Sequence, residues 1–524
     1  MEEEGKKNFL KFVTALLACT LLLLVLSIPA VSADIDLKPT EIKAFHYFEE
    51  GKGGGPKGDP WFNLENGIQV QVWNYGSDEI AANSFTVSLY ADDMLIEEKV
   101  FDLPLGANNA KKIRFEEWKP VGGDNPLTWT DTAQGALGTY TDTSKNYTLK
   151  VVVDEANEVE ESDETNNNKF VSQKVVWNGY MADHPLENYK HGTVKGGIIY
   201  TTGDGTYTGM GENKYGMYNN FNYNLQIPGT AKQARLYFYY TWAKLGDKIG
   251  DPCYKAPKIG VTLKTPSGSV HSLNMERSYN DIKGDFGPYR LPWGTYAYDI
   301  TTYVSESGTY VVNFTNLNHE QGEEGYDANF AGVYAATPPA ILVVYENATA
   351  PEREYWINEG ADVLMGGRRG EGGYLALGEC LNNATFGGSI EKSKVKNATL
   401  GVVSPWGDDA QDDVLYFNSE ELGRGVYCGY NDPCTQELNG ISMAIGASGA
   451  QVGINATNVT SYLSASNNRV TQGDNADNMM PVNAFLVVEY EALPEDKTSP
   501  AAVTDLITST PTRDSIALTW TAPG

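Results

Sequence analysis

Short runs of apolar, β-branched and aromatic residues alternate with clusters of Gly, Asn, Asp and Pro along the chain from residue 34 onward. In the run GIQVQVW the alternate positions Ile68, Val70 and Val72 are apolar, which places them on one face of a half-buried strand. Similar runs recur as FTVSLY, YTLKVVV, KFVSQKVVW, ARLYFYY, TYVVNF, AILVVYE and NAFLVVEY. Helical periodicity is nearly absent. The pattern predicts an all-β protein built from antiparallel sheets.

The region 180–493 contains an internal repeat. The run ARLYFYYTW at 234–242 aligns without gaps with ATLGVVSPW at 398–406, and this alignment pairs Trp242 with Trp406. Two further pairs of runs keep the same order: ITTYV at 300–304 with VTSYL at 459–463, and AILVVYE at 340–346 with AFLVVEY at 484–490. The spacing between partners shrinks along the chain, as loop deletions in a second copy would produce. We therefore predict two sandwiches of similar topology.

The first part of the chain carries a recognisable signature. In VVVDEANEVEESDETNNN an Asp closes a strand and is followed by Asn, Val, Glu, SDE and NN before the next strand. This run, together with VQVWNYGSDEIAANSFTVSLYADD, resembles the CARDB family, cell-adhesion-related domains of prokaryotic surface proteins. The resemblance covers residues 35–177 and implies an immunoglobulin-like sandwich. The run VGGDNPLTWTDTAQGALGTYTDTS at 121–144 is an insertion relative to that pattern.

Two further resemblances follow along the chain. The motifs YDITTYVSESGTYVVNF, ATPPAILVVYENA and SPWGDDAQDDVLYFN are similar to those of a domain of unknown function found in archaeal cell-surface proteins. That resemblance implies a surface location and no particular chemistry. At the end of the chain, VTDL and SIALTWTAPG, with Trp520 as the core aromatic residue, resemble the first two strands of a fibronectin type III domain.

The chain of 524 residues is too long for one hydrophobic core, so several domains are expected. We predict tandem antiparallel β-sandwiches: an immunoglobulin-like one, then two jelly-roll-like repeats, then a truncated fibronectin-like unit. The predicted boundaries are 1–33 for a signal peptide, 34–178 for the CARDB-like sandwich, 180–350 and 351–493 for the two repeats, and 499–524 for the incomplete last segment.

The N-terminus predicts export. Three lysines precede an apolar run that ends in the small residues Val31 and Ala33, so we expect signal-peptide cleavage before Asp34. An uncleaved signal anchor is the alternative, because the apolar run is nearly long enough to span a bilayer. The net charge of −29 argues against nucleic acid and anionic membranes as partners, since both require clustered Lys and Arg. Other surface proteins or glycans are the expected partners, with membrane contact only through the leader or an anchor outside this sequence.

Export makes the cysteines and sequons informative. The mature chain keeps four cysteines, and an even count in an oxidising compartment predicts two disulfides. The run CGYNDPC favours the pair Cys428–Cys434 across a turn, which leaves Cys253–Cys380 by elimination; free buried thiols are the alternative. Predicted glycosylation sites at N-x-S/T sequons are Asn146, Asn313, Asn347, Asn383, Asn397, Asn455 and Asn458.

Two acidic loops are candidate metal sites. Oxygen ligands are dense enough to surround Ca²⁺ in the loop between the last two strands of the CARDB-like unit, at Asp154, Asn157, Glu161, Asp163, Glu164 and Asn166. The alternative is a solvated hairpin in which Asn and Asp form Asx turns. A second cluster lies in WGDDAQDD, at Asp408, Asp409, Asp412 and Asp413. Here too a solvated loop is the alternative, and Ca²⁺ is the one cofactor considered for the chain.

A tyrosine-rich stretch at 200–224 offers aromatic rings among Gly and Asn. Such rings can stack on sugars or contact a protein, because tyrosine is amphipathic. The alternative is that they pack against the edge of a sandwich. The candidate stacking residues are Tyr207, Tyr215, Tyr218 and Tyr223.

Motifs of common enzyme classes are not found: no G-x-S-x-G, H-E-x-x-H, Walker loop or G-x-G-x-x-G after a strand occurs. No catalytic residue is therefore assigned, and we expect a non-catalytic protein. The sequence favours a secreted or cell-surface protein for adhesion or envelope structure, which presents Tyr- and Asp-rich loops on sandwiches. A carbohydrate-binding module array is the first alternative. A polysaccharide-degrading enzyme on a sandwich scaffold is the second.

Overall fold

The structure is a computed structural model of the chain. It describes residues 34–48, 56–129, 134–136, 138–177, 180–210, 218–244, 255–283, 291–318, 333–366, 369–370, 373–375, 377–409, 413–475, 478–491, 507–508 and 518–519. The predicted signal peptide and Trp520 lie outside the described residues, and only two short paired strands fall within the fibronectin-like segment. Those two strands are β34 (Ile507–Thr508) and β35 (Leu518–Thr519).

The first unit, residues 34–177, is a sandwich of two antiparallel sheets. Its strands are β1 (Leu37–Phe45), β2 (Tyr47–Phe48), β3 (Pro56–Lys57), β4 (Asn66–Asn74), β5 (Thr86–Ala91), β6 (Met94–Val100), β7 (Asn109–Trp118), β8 (Leu127–Trp129), β9 (Gly138–Tyr140), β10 (Lys145–Val153) and β11 (Asn168–Val175). One sheet has the order β1-β4-β7 and the other β11-β10-β5-β6. Ile68, Val70 and Val72 are buried in one core with Leu149 and Val151 of the second sheet, as the alternation in β4 predicts.

The described residues of the region from 180 to 350, called the first half, form ten strands. They are β12 (Glu187–Thr201), β13 (Tyr218–Leu225), β14 (Thr230–Lys244), β15 (Ile259–Lys264), β16 (Val270–Leu273), β17 (Arg277–Asp281), β18 (Trp293–Asp299), β19 (Gly308–Asn316), β20 (Val333–Ala336) and β21 (Ala340–Glu346). β17, β18, β14, β21 and β12 lie side by side in a large sheet, and β13-β19-β15-β16 form a smaller one.

The region from 351 to 491, called the second half, follows a similar plan. Its strands are β22 (Glu352–Glu359), β23 (Arg369–Gly370), β24 (Gly373–Tyr374), β25 (Leu381–Ser389), β26 (Val395–Pro405), β27 (Val414–Phe417), β28 (Glu420–Arg424), β29 (Cys434–Leu438), β30 (Ile441–Ile445), β31 (Val452–Asn458), β32 (Ser466–Gly473) and β33 (Asn483–Tyr490). Three short 3₁₀ turns lie at Leu377–Glu379, Lys392–Lys394 and Thr460–Tyr462. β22-β33-β26-β31 continue the large sheet, and β25-β32-β27-β28 form a second small one.

The long strand β12 connects the two halves. Its first part pairs with β22, while its last part pairs with β21 and runs parallel to β30. One hydrophobic core contains residues of both halves, and the Tyr239 hydroxyl donates a hydrogen bond to Asn483 Oδ1 at 2.9 Å. The two halves therefore share a core and a 12-stranded sheet, where the sequence predicted consecutive separate sandwiches. The all-β antiparallel fold class is confirmed.

Strand β14 explains why its sequence lacks alternation. Leu236 and Phe238 point into a core shared with the first small sheet, whereas Tyr237 and Tyr239 lie in the core shared with the second half. A strand that is buried on both faces reads as a continuous apolar run, as ARLYFYYTW does.

Hydrogen bonds recur at positions that the sequence alignment pairs. Ile300 N donates to Ala234 O at 3.0 Å, and Thr301 Oγ1 accepts from Ala234 N at 3.0 Å. In the second half, Val459 N donates to the carbonyl oxygen of Ala398 at 2.9 Å. The Ala398 N–H likewise donates to the hydroxyl of the aligned threonine at 2.7 Å. Each half thus fixes the start of its central strand with the same pair of contacts.

The insertion at 121–144 reaches the first half. Ile259 N donates to Gln134 Oε1 at 2.7 Å, and Ala256 N donates to Ala136 O at 2.9 Å. β8 and β9 of the insertion pair with each other. The departure from the CARDB pattern is therefore a contact arm between the first unit and the rest of the chain.

A second contact between the first unit and the remainder is aromatic. The ring of Trp61 stacks with those of His46 and Tyr180, with centroid distances of 3.9 and 6.2 Å. His46 Nε2 also lies 2.5 Å from Glu379 Oε1 of the second half. No helix among the described residues is both long and apolar enough to cross a membrane.

Candidate functional site

In the acidic loop between β10 and β11, side-chain carboxylates accept hydrogen bonds from the backbone of the same loop. Asp154 is buried, and its two carboxylate oxygens accept from Glu158 N and Val159 N, each at 2.8 Å. Asp163 Oδ1 accepts from Thr165 N at 3.0 Å. Asp154 and Asn157 both adopt positive φ, as Asp and Asn tolerate in turns. These are the bonds expected of the turn interpretation, and the calcium site stays a prediction.

Other side chains of this loop form hydrogen bonds with one another or with Asp36 and Leu37. Glu161 Oε2 accepts from Leu37 N at 2.5 Å, and Glu161 Oε1 accepts from Asn167 Nδ2 at 2.8 Å. Glu164 Oε1 accepts from Glu161 N at 3.0 Å, and Asn166 Nδ2 donates to an oxygen of Asp36. Burial raises the pKa of Glu161 to about 7, although the bonds from Leu37 and Asn167 oppose the rise.

This raised pKa predicts a pH-dependent stability. A carboxyl group whose pKa is higher in the folded state contributes most stability below its ordinary pKa, and that contribution is lost as the pH rises through the folded value. We expect the melting temperature of the full chain to fall between about pH 5 and about pH 8, and to fall less in Glu161→Gln. Calorimetry at both pH values measures this. Glu160→Gln, at an exposed neighbour, is the control, and equal slopes in all three proteins would contradict the prediction.

The second acidic cluster is only partly described, because Asp412 lies outside the described residues. Asp409 is exposed, whereas Asp413 is fully buried at the start of β27 and one of its carboxylate oxygens accepts from Asp408 N at 2.9 Å. The solvated-loop interpretation is therefore wrong for Asp413, which is buried where the loop enters the sheet. The metal site at this cluster stays a prediction.

The tyrosine-rich stretch is largely part of the core where it is described. Tyr223 is fully buried in β13 and its hydroxyl donates to Pro339 O at 2.7 Å, so the prediction that it stacks on a ligand is wrong. Tyr207 is half-buried against the core of the two halves. Tyr215 lies outside the described residues, as does the side chain of Tyr218. The alternative, packing against the sandwich, holds for Tyr223 and Tyr207.

The two predicted disulfides have different outcomes. The disulfide Cys428–Cys434 is present, with a Cα–Cα distance of 5.9 Å. Cys380 is a free, fully buried thiol and Cys253 lies outside the described residues, so the second predicted disulfide is not formed. Burial raises the pKa of Cys380 well above its usual value, because the core around it disfavours a thiolate.

The sequons differ in exposure. Asn146 and Asn458 are exposed, which suits the prediction. Asn455 is buried in β31 and its amide donates to Val426 O at 2.9 Å, so it is not the exposed turn that was expected there. The remaining sequons are half-buried, at Asn313, Asn347, Asn383 and Asn397.

A cluster that the sequence did not indicate lies between the two halves. The Lys283 ammonium group is surrounded by three carboxylates, and we call these four residues the aspartate–lysine cluster. Lys283 Nζ lies 2.6 Å from Asp183 Oδ1, 2.8 Å from Asp362 Oδ1 and 3.1 Å from Asp281 Oδ2. The side chains of Lys283, Asp281 and Asp362 are completely buried and that of Asp183 is 3% exposed. The cluster therefore excludes water almost entirely.

The three carboxylates have different surroundings. Both oxygens of Asp281 accept backbone N–H bonds at 2.6 Å, from Ile282 and Val363. Asp362 Oδ2 accepts from the side-chain amide of Asn382 at 2.9 Å. Burial raises the pKa of Asp362 well above its usual range, and the other two carboxylates add to this against the opposing effect of Lys283.

Two opposing effects act on the pKa of Lys283. Burial alone would lower the pKa of Lys283, but the attraction of the three carboxylates raises it above its usual value. Its Nζ lies 5.3 Å from the centroid of the Tyr180 ring. His184 borders the cluster, with Nε2 at 3.3 Å from Asp281 Oδ1 and 2.8 Å from Asn125 Nδ2 of the insertion.

Asp183, His184 and Asp281 bring ligand atoms within 4.8 Å of one another, a spacing that can hold a metal ion. The ammonium group of Lys283 already lies between two of these carboxylates, so we assign the positive charge of the site to Lys283. Sequence reasoning missed the cluster because its members come from segments up to 179 residues apart in the chain, from 183 to 362. Only the tertiary fold brings them together.

Comparison with known proteins identifies the family that the first unit matches. Residues 56–171 match the CARDB family, so the predicted CARDB domain is present. The CARDB domain of a Pyrococcus furiosus protein, solved in complex with di-metal ions, is 22% identical, with 28% of this chain and 99% of that chain covered and a TM-score of 0.19. A domain of a putative cell surface protein from Methanosarcina acetivorans is 21% identical, with 28% and 92% covered and a TM-score of 0.18.

A Streptomyces avermitilis alpha-L-rhamnosidase complexed with L-rhamnose is 10% identical, with 87% of this chain and 39% of that chain covered and a TM-score of 0.15. No curated protein matches the chain. Residues 179–489, the two halves with their shared core, match a family described as "Protein of unknown function (DUF3344)". Because this match spans more than half of the 524 residues, the chain belongs to the DUF3344 family, here joined to an N-terminal CARDB domain.

Proposed function

We propose that the chain is a secreted or cell-surface, non-catalytic protein that serves in adhesion or in the structure of the envelope. The CARDB domain supports the location, because the family resemblance implies prokaryotic surface proteins. The leader supports it as well, since its charge and apolar pattern are those of a signal peptide.

The observation that carries the proposal is the continuity of the β structure. One 12-stranded sheet passes through both halves, and the first unit is attached to them by the insertion and by the Trp61 stack. Buried ion pairs between the halves use Arg235, Glu359 and the aspartate–lysine cluster. Such an arrangement suits an adhesive or structural protein, because the sheet and the buried ion pairs hold the two halves in a fixed arrangement.

The location is tested on cells that express the protein natively. We expect antibodies against the two halves to label intact cells, and external protease to remove the signal. A cytoplasmic protein of known location, probed in parallel, controls for lysis. Labelling that requires broken cells would contradict the proposal.

The absence of catalysis is tested separately. We expect the purified full chain to release no reducing sugar from a panel of polysaccharides. On a glycan array, we expect no saccharide-specific binding that requires the tyrosine side chains. Release of sugar would favour the enzyme alternative. Binding abolished by Tyr215→Ala and Tyr218→Ala, but kept in the exposed-site control Tyr75→Ala, would favour the carbohydrate-binding alternative.

We also infer that the two halves arose by duplication. The paired contacts of Ala234 and Ala398 and the matching orders of the two small sheets support this. The consequence is functional: two similar scaffolds packed together offer two sets of loops on one body.

A further inference from the structure

We propose that the Nζ of Lys283 and the Cγ of Asp362 become joined by an isopeptide bond in the folded protein, so that the aspartate–lysine cluster is the site of a self-catalysed covalent cross-link. This modification is independent of the function proposed above.

The first argument is position. Lys283 Nζ and Asp362 Oδ1 lie 2.8 Å apart, in segments separated by 79 residues, and both side chains are completely buried. Groups held in contact by a fold react as though present at effective concentrations on the order of 10⁵–10⁸ M. The burial also keeps bulk water away, and water is the reactant that would reverse the condensation.

The second argument is charge. One ammonium surrounded by three carboxylates leaves an excess of buried negative charge, and each buried ion carries a desolvation penalty. Asp362 is the carboxyl that burial favours in its neutral form, and a neutral carboxylic acid is the electrophile that condensation needs. Asp281 Oδ2 lies farther from Nζ than Asp362 Oδ1 does, at 3.1 Å against 2.8 Å, so Asp362 is the better placed of the two.

The neighbouring groups supply the remaining functions. Asp183 Oδ1, at 2.6 Å from Nζ, is positioned to take one ammonium proton as Nζ attacks Cγ of Asp362, so that no free amine has to form beforehand. The amide of Asn382 donates to Asp362 Oδ2 at 2.9 Å, where negative charge develops during the attack. Lys283 attacks, and Asp183 and Asn382 are positioned to assist.

The step balances without any further reagent. The Nζ–Cγ bond forms, and the Cγ–Oδ1 bond of the protonated Asp362 breaks. Of the three ammonium protons, one goes to Asp183, one stays on the amide nitrogen and one leaves with the hydroxyl group as water. The charges of Lys283 and Asp183 cancel in the step, and a neutral amide then joins the two halves, with no change in oxidation state.

Mass spectrometry of the reduced, denatured full chain tests the proposal without any variant. We expect a mass lower by one water molecule than the sequence of the processed chain requires. We also expect no tryptic cleavage after Lys283, and a branched peptide that contains Asp362. An unchanged mass with normal cleavage after Lys283 would overturn the proposal, and a branch at Asp183 in place of Asp362 would overturn the assignment of the acceptor.

Variants sharpen the assignment. Lys283→Arg keeps the charge but should restore the full mass, and Asp362→Asn should lose ammonia in place of water. Lys232→Arg, at an exposed ion pair with Glu346, is the matched control and should still lose water. Asp183→Asn should lower the fraction of cross-linked chain in the same mass spectra. Loss of water that persists in Lys283→Arg would contradict the proposed link.

Discussion

Replacement of Glu359 by Gln is expected to lower the free energy of unfolding of the two halves by about 3–5 kcal/mol, the cost of breaking a buried ion pair by removing one partner. Arg235 and Glu359 are both completely buried, and their side chains form a bidentate pair with two N–O distances of 2.9 Å. The Tyr237 hydroxyl donates to the same carboxylate at 2.7 Å. Glutamine cannot accept all of these bonds, and it leaves the guanidinium charge without its buried counter-ion.

The control is the second carboxylate that contacts Arg235. Glu276 is 42% exposed, so Glu276→Gln should cost no more than about 1 kcal/mol. The double replacement Arg235→Met with Glu359→Leu removes both charges and should recover much of the loss. Urea denaturation of the wild type and the three variants measures the differences, provided that the free energy of unfolding falls with urea concentration at the same slope in all four. If Glu359→Gln unfolds at the same urea concentration as Glu276→Gln, the pair does not hold the halves together as we infer.

The sequence predicted the strands well because the local pattern of apolar and polar residues depends on whether one or both faces of a strand are buried. The alternation at Ile68, Val70 and Val72 and the continuous run in β14 each matched the burial found. The turn in CGYNDPC similarly located the disulfide Cys428–Cys434, since a short loop limits the choice of partner.

Features set by tertiary packing were not predictable in the same way. The aspartate–lysine cluster joins three distant segments, and no single segment contains enough of its members to reveal it. The Asn and Gly residues around Tyr223 predict an exposed loop, but Tyr223 lies in β13 and its side chain is buried in the core. The pairing Cys253–Cys380 failed because elimination assumes that every cysteine is oxidised, and Cys380 is buried as a free thiol.

One alignment from the sequence has a structural counterpart that local patterns could not supply. Trp242 and Trp406, paired by the alignment, both adopt positive φ, of 50° and 65°. This conformation is rare for a bulky residue and costs on the order of 1–3 kcal/mol, so surrounding contacts must hold it. Both rings pack edge-on against the same buried residue, Trp293, with centroid distances of 6.1 and 4.7 Å.

Trp293→Ala is therefore expected to be the most damaging single truncation in the shared core, with a loss of about 3–5 kcal/mol in the free energy of unfolding. The ring of Trp293 is completely buried, so its removal leaves a cavity. It also withdraws the packing partner that stabilises the unusual backbone of Trp242 and Trp406. Trp293→Phe keeps an aromatic ring at the site and should cost clearly less.

Urea denaturation followed by tryptophan fluorescence measures these losses, and near-ultraviolet circular dichroism reports whether the remaining rings stay ordered. The control is Trp73→Ala in the first unit, whose half-buried ring is remote in sequence from the three-tryptophan contact. It should leave the unfolding of the two halves unchanged. Trp293 belongs to the first half and Trp406 to the second. A loss in Trp293→Ala no larger than in Trp293→Phe would contradict the prediction, because it would mean that the three-tryptophan contact adds little to the stability of the shared core.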